Sequence, residues 1–124
     1  MKILLIEDEE MLIRMYQEKF NRAGFETTIA RTAKEGLASA KETRPDLIVL
    51  DIILPNENGI FFLEEVEKEE ILKKIPIIVF SNYDNPETER KALEFGVKEY
   101  IIKADHDPQE IVDKIKNYFK NENG

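Results

Sequence analysis

The sequence predicts an α/β fold built on a parallel sheet, and three observations carry that reading. Short apolar runs with little polar alternation recur along the chain, as in Leu47-Ile48-Val49-Leu50, which is the signature of strands buried on both faces. They alternate with segments of helical periodicity through short connections, the order of βα units. Each apolar run also stops at a polar or charged residue, so the strand ends stand apart from the strands.

Taken in order, Lys2–Ile6 is a first buried strand, closed abruptly by Glu7-Asp8-Glu9-Glu10. Acids favour a helix N-terminus, and Asp8 is the expected cap of the helix that follows. That helix carries Met11, Leu12, Met15, Tyr16 and Phe20 at helical spacing and stops at Gly24. Glu26–Ala30 is a short second strand. Thr32 with Glu35 three residues on reads as a capping box, and the helix through Leu37 and Ala40 ends at Arg44-Pro45. The third strand ends at Asp51. After Gly59, residues Phe61, Phe62, Leu63 and Val66 give a helix whose charged far end, 64–74, is expected to be a solvated face, broken at Ile75-Pro76. Residues 77–80 form a fourth buried strand ending at Ser81. Pro86 opens a helix with Ala92, Leu93 and Phe95 on one side and Gly96 after it. Glu99–Ile102 is a fifth strand ending at Lys103. Asp107-Pro108 starts a last helix with Ile111, Val112, Ile115, Tyr118 and Phe119 inward, and a frayed tail follows. Right-handed crossovers restrict the strand order, and a flavodoxin-like (βα)5 three-layer sandwich with the order 2-1-3-4-5 fits five strands.

Bulk properties narrow the function. The 124 residues make one domain, large enough for a core of its own, with 42% hydrophobic and 35% charged residues. A formal net charge of −8 opposes direct binding to nucleic acid or an anionic membrane. The absence of cysteine removes disulfides and thiolate metal sites. The first apolar run is too short for a signal peptide and ends in acid, and no run approaches membrane-spanning length. A soluble cytoplasmic protein is expected.

In an open α/β sheet, the carboxyl ends of the strands are where ligands bind. Here that edge collects Glu7, Asp8, Asp51, Ser81 and Lys103. Each has an ordinary reading alone: a helix cap, a turn carboxylate, turn chemistry or a solvated lysine. Capping gives no reason for acid, acid, hydroxyl and amine to finish successive strands. Clustered carboxylates repel, and a divalent cation resolves the conflict; an all-oxygen set without His or Cys suits Mg²⁺. Lys103 adds a compact positive charge and Ser81 a hydroxyl donor. Together these are the parts for phosphoryl transfer onto a carboxylate, with Asp51 as nucleophile because it lies nearest the middle of the sheet.

The set Glu7-Asp8, Asp51 with Pro55 and Gly59, Ser81, Tyr100 and Lys103 resembles the receiver domain of two-component response regulators, from Lys2 to about Phe119. The resemblance implies a receiver domain over residues 1–121, with 122–124 as a disordered tail. It implies that Glu7, Asp8, Asp51 and the backbone carbonyl of Ile53 hold Mg²⁺. It implies Asp51 as phosphoacceptor, Ser81 and Lys103 as phosphoryl contacts, and Ser81 with Tyr100 as a coupled switch. The implied phosphodonor is a histidine kinase or phosphotransfer protein. The implied outcome is an altered surface over the fourth helix, fifth strand and fifth helix, presented to a protein target or a second copy. The family usually has proline after the lysine, joined by a cis bond; here Ala104 follows, and a non-proline cis bond costs about 3 kcal/mol.

Two other classes compete. A metal-dependent phosphohydrolase would use Asp51 as a transient nucleophile and wants a general acid two residues on, where this chain has Ile53. A flavin carrier wants a phosphate-cradling loop after the first strand, where Glu7-Asp8-Glu9-Glu10 repels phosphate. The single histidine, His106, lies in a polar loop and is expected to have no role.

Overall fold

The computed structural model describes residues 1–123, and side chains through residue 120. The tail expected at 122–124 therefore falls outside the fully described residues. Five strands form one sheet: β1 (Lys2–Ile6), β2 (Glu26–Ala30), β3 (Leu47–Leu50), β4 (Ile77–Ser81) and β5 (Glu99–Ile102). Their order is β2-β1-β3-β4-β5, every pair parallel, as the sequence pattern predicts. The helices between them are α1 (Glu10–Arg22), α2 (Ala33–Thr43), α3 (Gly59–Glu67), α4 (Pro86–Glu94) and α5 (Pro108–Asn123).

Strand periodicity divides the core into two layers. Leu4, Ile6, Ile48, Leu50, Ile77 and Val79 pack with Ala33, Ala40, Phe62, Leu63, Val66 and Ala92, so α2, α3 and α4 cover one face. Ile3, Leu5, Leu47, Val49, Ile78, Phe80 and Ile101 pack with Tyr16, Phe20, Ile111, Val112, Ile115 and Phe119, so α1 and α5 cover the other. Strands without polar alternation are thus buried on both sides.

The helix starts are mostly capped as composition suggests. Thr32 Oγ1 accepts from Glu35 N–H at 3.0 Å, Asn58 Oδ1 from Phe61 N–H at 3.1 Å, and Asn85 Oδ1 from Thr88 N–H at 2.9 Å. Asp107 and Glu110 cap each other's backbone N–H, both at 2.9 Å. Helix α1 departs from expectation. Its N-cap is Glu9, with no side-chain cap bond, and Asp8 turns instead towards Glu7 and Asp51. Glu10 supplies the acid of its first turn.

Other expectations are corrected by helix rotation. The buried stripe of α1 is Ile13, Tyr16 and Phe20, leaving Met11 80% exposed. In α4 only Ala92 is buried, and Leu93 is half exposed. Helix α3 stops at Glu67, short of Ile75-Pro76; a 3-10 turn at Leu72–Lys74 follows, and Leu72 within the charged run is buried. Pro45 ends α2 by excluding helical backbone at Arg44, which turns left-handed at φ 45°.

One close approach bears on the site. A Cβ at Gly59 would lie 2.8 Å from the Asp51 carbonyl oxygen and 2.9 Å from Ile52 Cα, so α3 starts against the backbone that carries Asp51. Gly59 N–H also donates to Ile52 O at 2.8 Å. Because the clash is with backbone, Gly59→Ala is expected to cost about 1–3 kcal/mol, read as a lowered midpoint in urea denaturation. A variant as stable as the parent would show that the β3–α3 connection is free to move away.

Candidate functional site

Strand register assembles the site before any side chain is considered. Ile6 pairs with Leu50 and Asp51 N–H donates to Ile6 O at 3.0 Å, so the next residues, Glu7 and Asp51, leave the sheet side by side. At the other pair Ser81 is matched with Ile102, so Lys103 leaves just beyond Ser81. The rim residues Glu7, Asp8, Asp51, Ser81 and Lys103 line one cavity of about 320 Å³, together with Glu9, Ile53, Asn82 and Tyr83. The two elements that the sequence places at opposite ends of the chain, the first acids and Lys103, therefore meet.

They meet as an ion cluster. Lys103 Nζ donates to Glu7 Oε2 at 2.7 Å and to Asp51 Oδ2 at 3.1 Å. Both carboxylates are buried, at 2% and 6% exposure, and the ammonium also lies 5.3 Å from the centre of the Phe80 ring. Nearby backbone completes the carboxylates: Glu9 N–H donates to Glu7 Oε1 at 3.2 Å and Ile53 N–H to Asp51 Oδ1 at 3.2 Å. Burial pushes the Glu7 carboxyl up to about 7, opposed by the Lys103 hydrogen bond and reinforced by the Asp51 charge. Burial also works against the charge on Lys103, but Asp51 and Glu7 outweigh it and hold the ammonium above the ordinary lysine range.

The donor set fits a hard divalent cation. One carboxylate oxygen from each of Glu7, Asp8 and Asp51 lies within 4.8 Å of the others, all are oxygen ligands, and Asp8 is exposed at the cavity mouth. One ammonium faces three carboxylates, so negative charge remains to attract such an ion.

Beside the cluster runs a second set of contacts. Ser81 is fully buried and its Oγ accepts from Tyr83 N–H at 3.2 Å. The carbonyl of the same residue, Tyr83, accepts from the Tyr100 hydroxyl at 2.6 Å. Burial, then the charges of Glu89 and Asp51, push Tyr100 up to about 12, so the hydroxyl keeps its proton and stays a donor at neutral pH. Ser81 and Tyr100 are thus joined through one residue, Tyr83, that sequence reading treats as plain loop. Asn82 is likewise missed: its Oδ1 accepts from Ala104 N–H at 2.9 Å. The only available signal was adjacency to Ser81. The Lys103–Ala104 bond is trans, as are all others among the described residues. His106 stands apart from the cluster, with Nδ1 3.6 Å from Glu110 Oε2, beyond hydrogen-bonding distance.

Comparison with known proteins gives the same architecture a family. PhoP of Bacillus subtilis, an alkaline phosphatase synthesis transcriptional regulatory protein, is 30% identical over 93% of this chain, which spans only 47% of PhoP. DivK of Brucella anthropi, a polar-differentiation response regulator, is 29% identical over 94% of both chains. The crystal structure of the Mn²⁺-bound response regulator Rcp1 superposes with a TM-score of 0.85 at 28% identity, covering 95% of this chain and 93% of that one. No helix among the described residues is long and apolar enough to cross a membrane. Residues 3–116 match the family model of the response regulator receiver domain, and the chain belongs to that family of two-component signalling domains.

Proposed function

We propose that this chain is a phosphorylation-controlled switch in which Asp51 is the phosphoacceptor. The observation that carries the reading is the Lys103 ammonium shared between Glu7 and Asp51 at the carboxyl edge of the sheet, beside Ser81. An Asp51 carboxylate oxygen attacks the phosphorus of a phosphohistidine on a histidine kinase or phosphotransfer protein. The new P–O bond forms as the P–N bond breaks, and the electron pair leaves with the imidazole. Lys103 already touches Asp51 and lies where the charge of the transferred group develops. Ser81 Oγ accepts from Tyr83 and retains its own proton to donate to a phosphoryl oxygen. Glu7, Asp8 and Asp51, with the Ile53 carbonyl that the family resemblance adds, would hold Mg²⁺, which would shield the negative oxygens that must approach one another.

Phosphorylation adds roughly two negative charges at Asp51. A pull on Ser81 is felt by Tyr83, and through the Tyr83 carbonyl by Tyr100 on β5. The surface over α4, β5 and α5 is then the output, offered to a protein target or a second copy in the cytoplasm. Residues 1–121 act as the receiver unit. The phosphohydrolase alternative gains nothing from the site: the position for a general acid, Ile53, is an exposed aliphatic side chain.

Incubation with acetyl phosphate and Mg²⁺ should add one phosphoryl group to the parent protein by intact mass and none to Asp51→Asn. Uptake by that variant would place the acceptor elsewhere. Magnesium binding should also depend on pH. Glu7 must ionise to ligate, and burial holds it up to about 7, so affinity should fall by up to about tenfold per unit once the pH drops below about 7. Calorimetric titration should show weaker and nearly pH-independent binding for Glu7→Gln; a parent curve flat across that window would remove Glu7 from the ligands.

A further inference from the structure

We infer that Asn82 is a positioning residue that holds the Lys103 turn in register with Ser81, so that amine and hydroxyl reach the phosphoryl group on Asp51 together; this rests on the phosphoacceptor reading above. The β4–β5 ladder ends at the Ser81–Ile102 pair. Beyond it the chain enters a single 3-10 turn, Lys103–Asp105, whose internal bond runs from His106 N–H to Lys103 O at 3.3 Å. The first N–H groups of so short a turn have no acceptor within it. Ala104 N–H is one of these orphans, and Asn82 Oδ1 takes it at 2.9 Å across 22 residues of chain.

The bond does what another rung of the ladder would do. It ties the residue after the hydroxyl to the residue after the amine, one residue past Ser81 and two past Ile102, the last strand pair. Lys103 is otherwise fixed by its side chain, through Glu7, Asp51 and the Phe80 ring. The Asn82 contact fixes the backbone on the far side of it. A proline at position 104 has no N–H to give, so this tether is specific to a chain with an N–H there. Only the oxygen of a carboxamide accepts, so the bond also fixes which way the Asn82 amide faces. Asn82 is exposed, and the bond adds little to global stability.

The test is a double-mutant cycle on the whole chain with Asn82→Ala, Ala104→Pro and the pair. Read first without any phosphodonor, hydrogen exchange at the Ala104 amide should be slow in the parent and fast in Asn82→Ala, with the melting temperature kept within about 2 °C. With acetyl phosphate and Mg²⁺, Asn82→Ala should slow phosphorylation about three- to tenfold. In the Ala104→Pro background the same substitution should change nothing further, because the donor is already gone. Equal exchange at Ala104 in parent and Asn82→Ala, or an equal cost of Asn82→Ala in both backgrounds, overturns the inference. Phosphate uptake by Asp51→Asn fails the phosphoacceptor reading instead and takes the positioning role with it; protection at Ala104, measured without donor, tells the two failures apart.

Discussion

A single ammonium between two buried carboxylates is the constraint on which the rest of this molecule depends. Glu7 and Asp51 leave neighbouring strands side by side and almost out of water, an arrangement that two like charges do not tolerate unaided. Lys103, from the far end of the chain, supplies the counter-charge at 2.7 and 3.1 Å. Removing one partner from a buried set of this kind typically costs about 3–5 kcal/mol, because the charge left behind has nothing to answer it. The neutralisation is also incomplete, since Asp8 adds a third carboxylate at the mouth. The surplus makes the rim receptive to a cation, while burial, the largest influence, holds the Glu7 carboxyl above its usual range despite the bond to lysine.

The scaffold makes such a cluster tolerable by holding it on rigid elements. All four strand pairs are parallel and both faces of the sheet are covered, so the ends of β1, β3 and β4 are fixed by backbone bonds and packing. Backbone donors at Glu9 and Ile53 satisfy the carboxylate oxygens that Lys103 does not reach. Gly59 lets α3 close directly against the Asp51–Ile52 backbone, where any side chain would force the connection outward. Precision at the rim is therefore inherited from the sheet, while its polar contacts are made by short loops.

Those loops carry a second kind of order. Tyr83 donates to Ser81 and accepts from Tyr100, so a buried hydroxyl at the rim and a half-buried phenol on β5 are linked through one residue. Tyr100 packs at the edge of the core layer that includes Ala92 of α4. The connection is short, made of hydrogen bonds and not of bulk packing, and it lies beside the charges that phosphorylation would alter.

The sequence was enough to read the βα alternation, the strand order, and the apolar strands that end in Glu7, Asp51, Ser81 and Lys103, because burial on both faces and abrupt polar termination are local properties. It misjudged Met11 and Leu93, whose spacing fits a helix but whose facing depends on how that helix rolls on the sheet. It offered Asp8 two places, as a helix cap and in the acidic cluster with Glu7 and Asp51; capping is a local preference, and the pairing of distant strands decided for the cluster. Tertiary structure alone decided that Lys103 bonds both carboxylates, that Tyr83 joins Ser81 to Tyr100, and that Asn82 answers Ala104. Apart from the local Tyr83–Ser81 bond, each is a contact between residues far apart in the chain, set by register and loop path, and no periodicity along the chain encodes a distance of that kind.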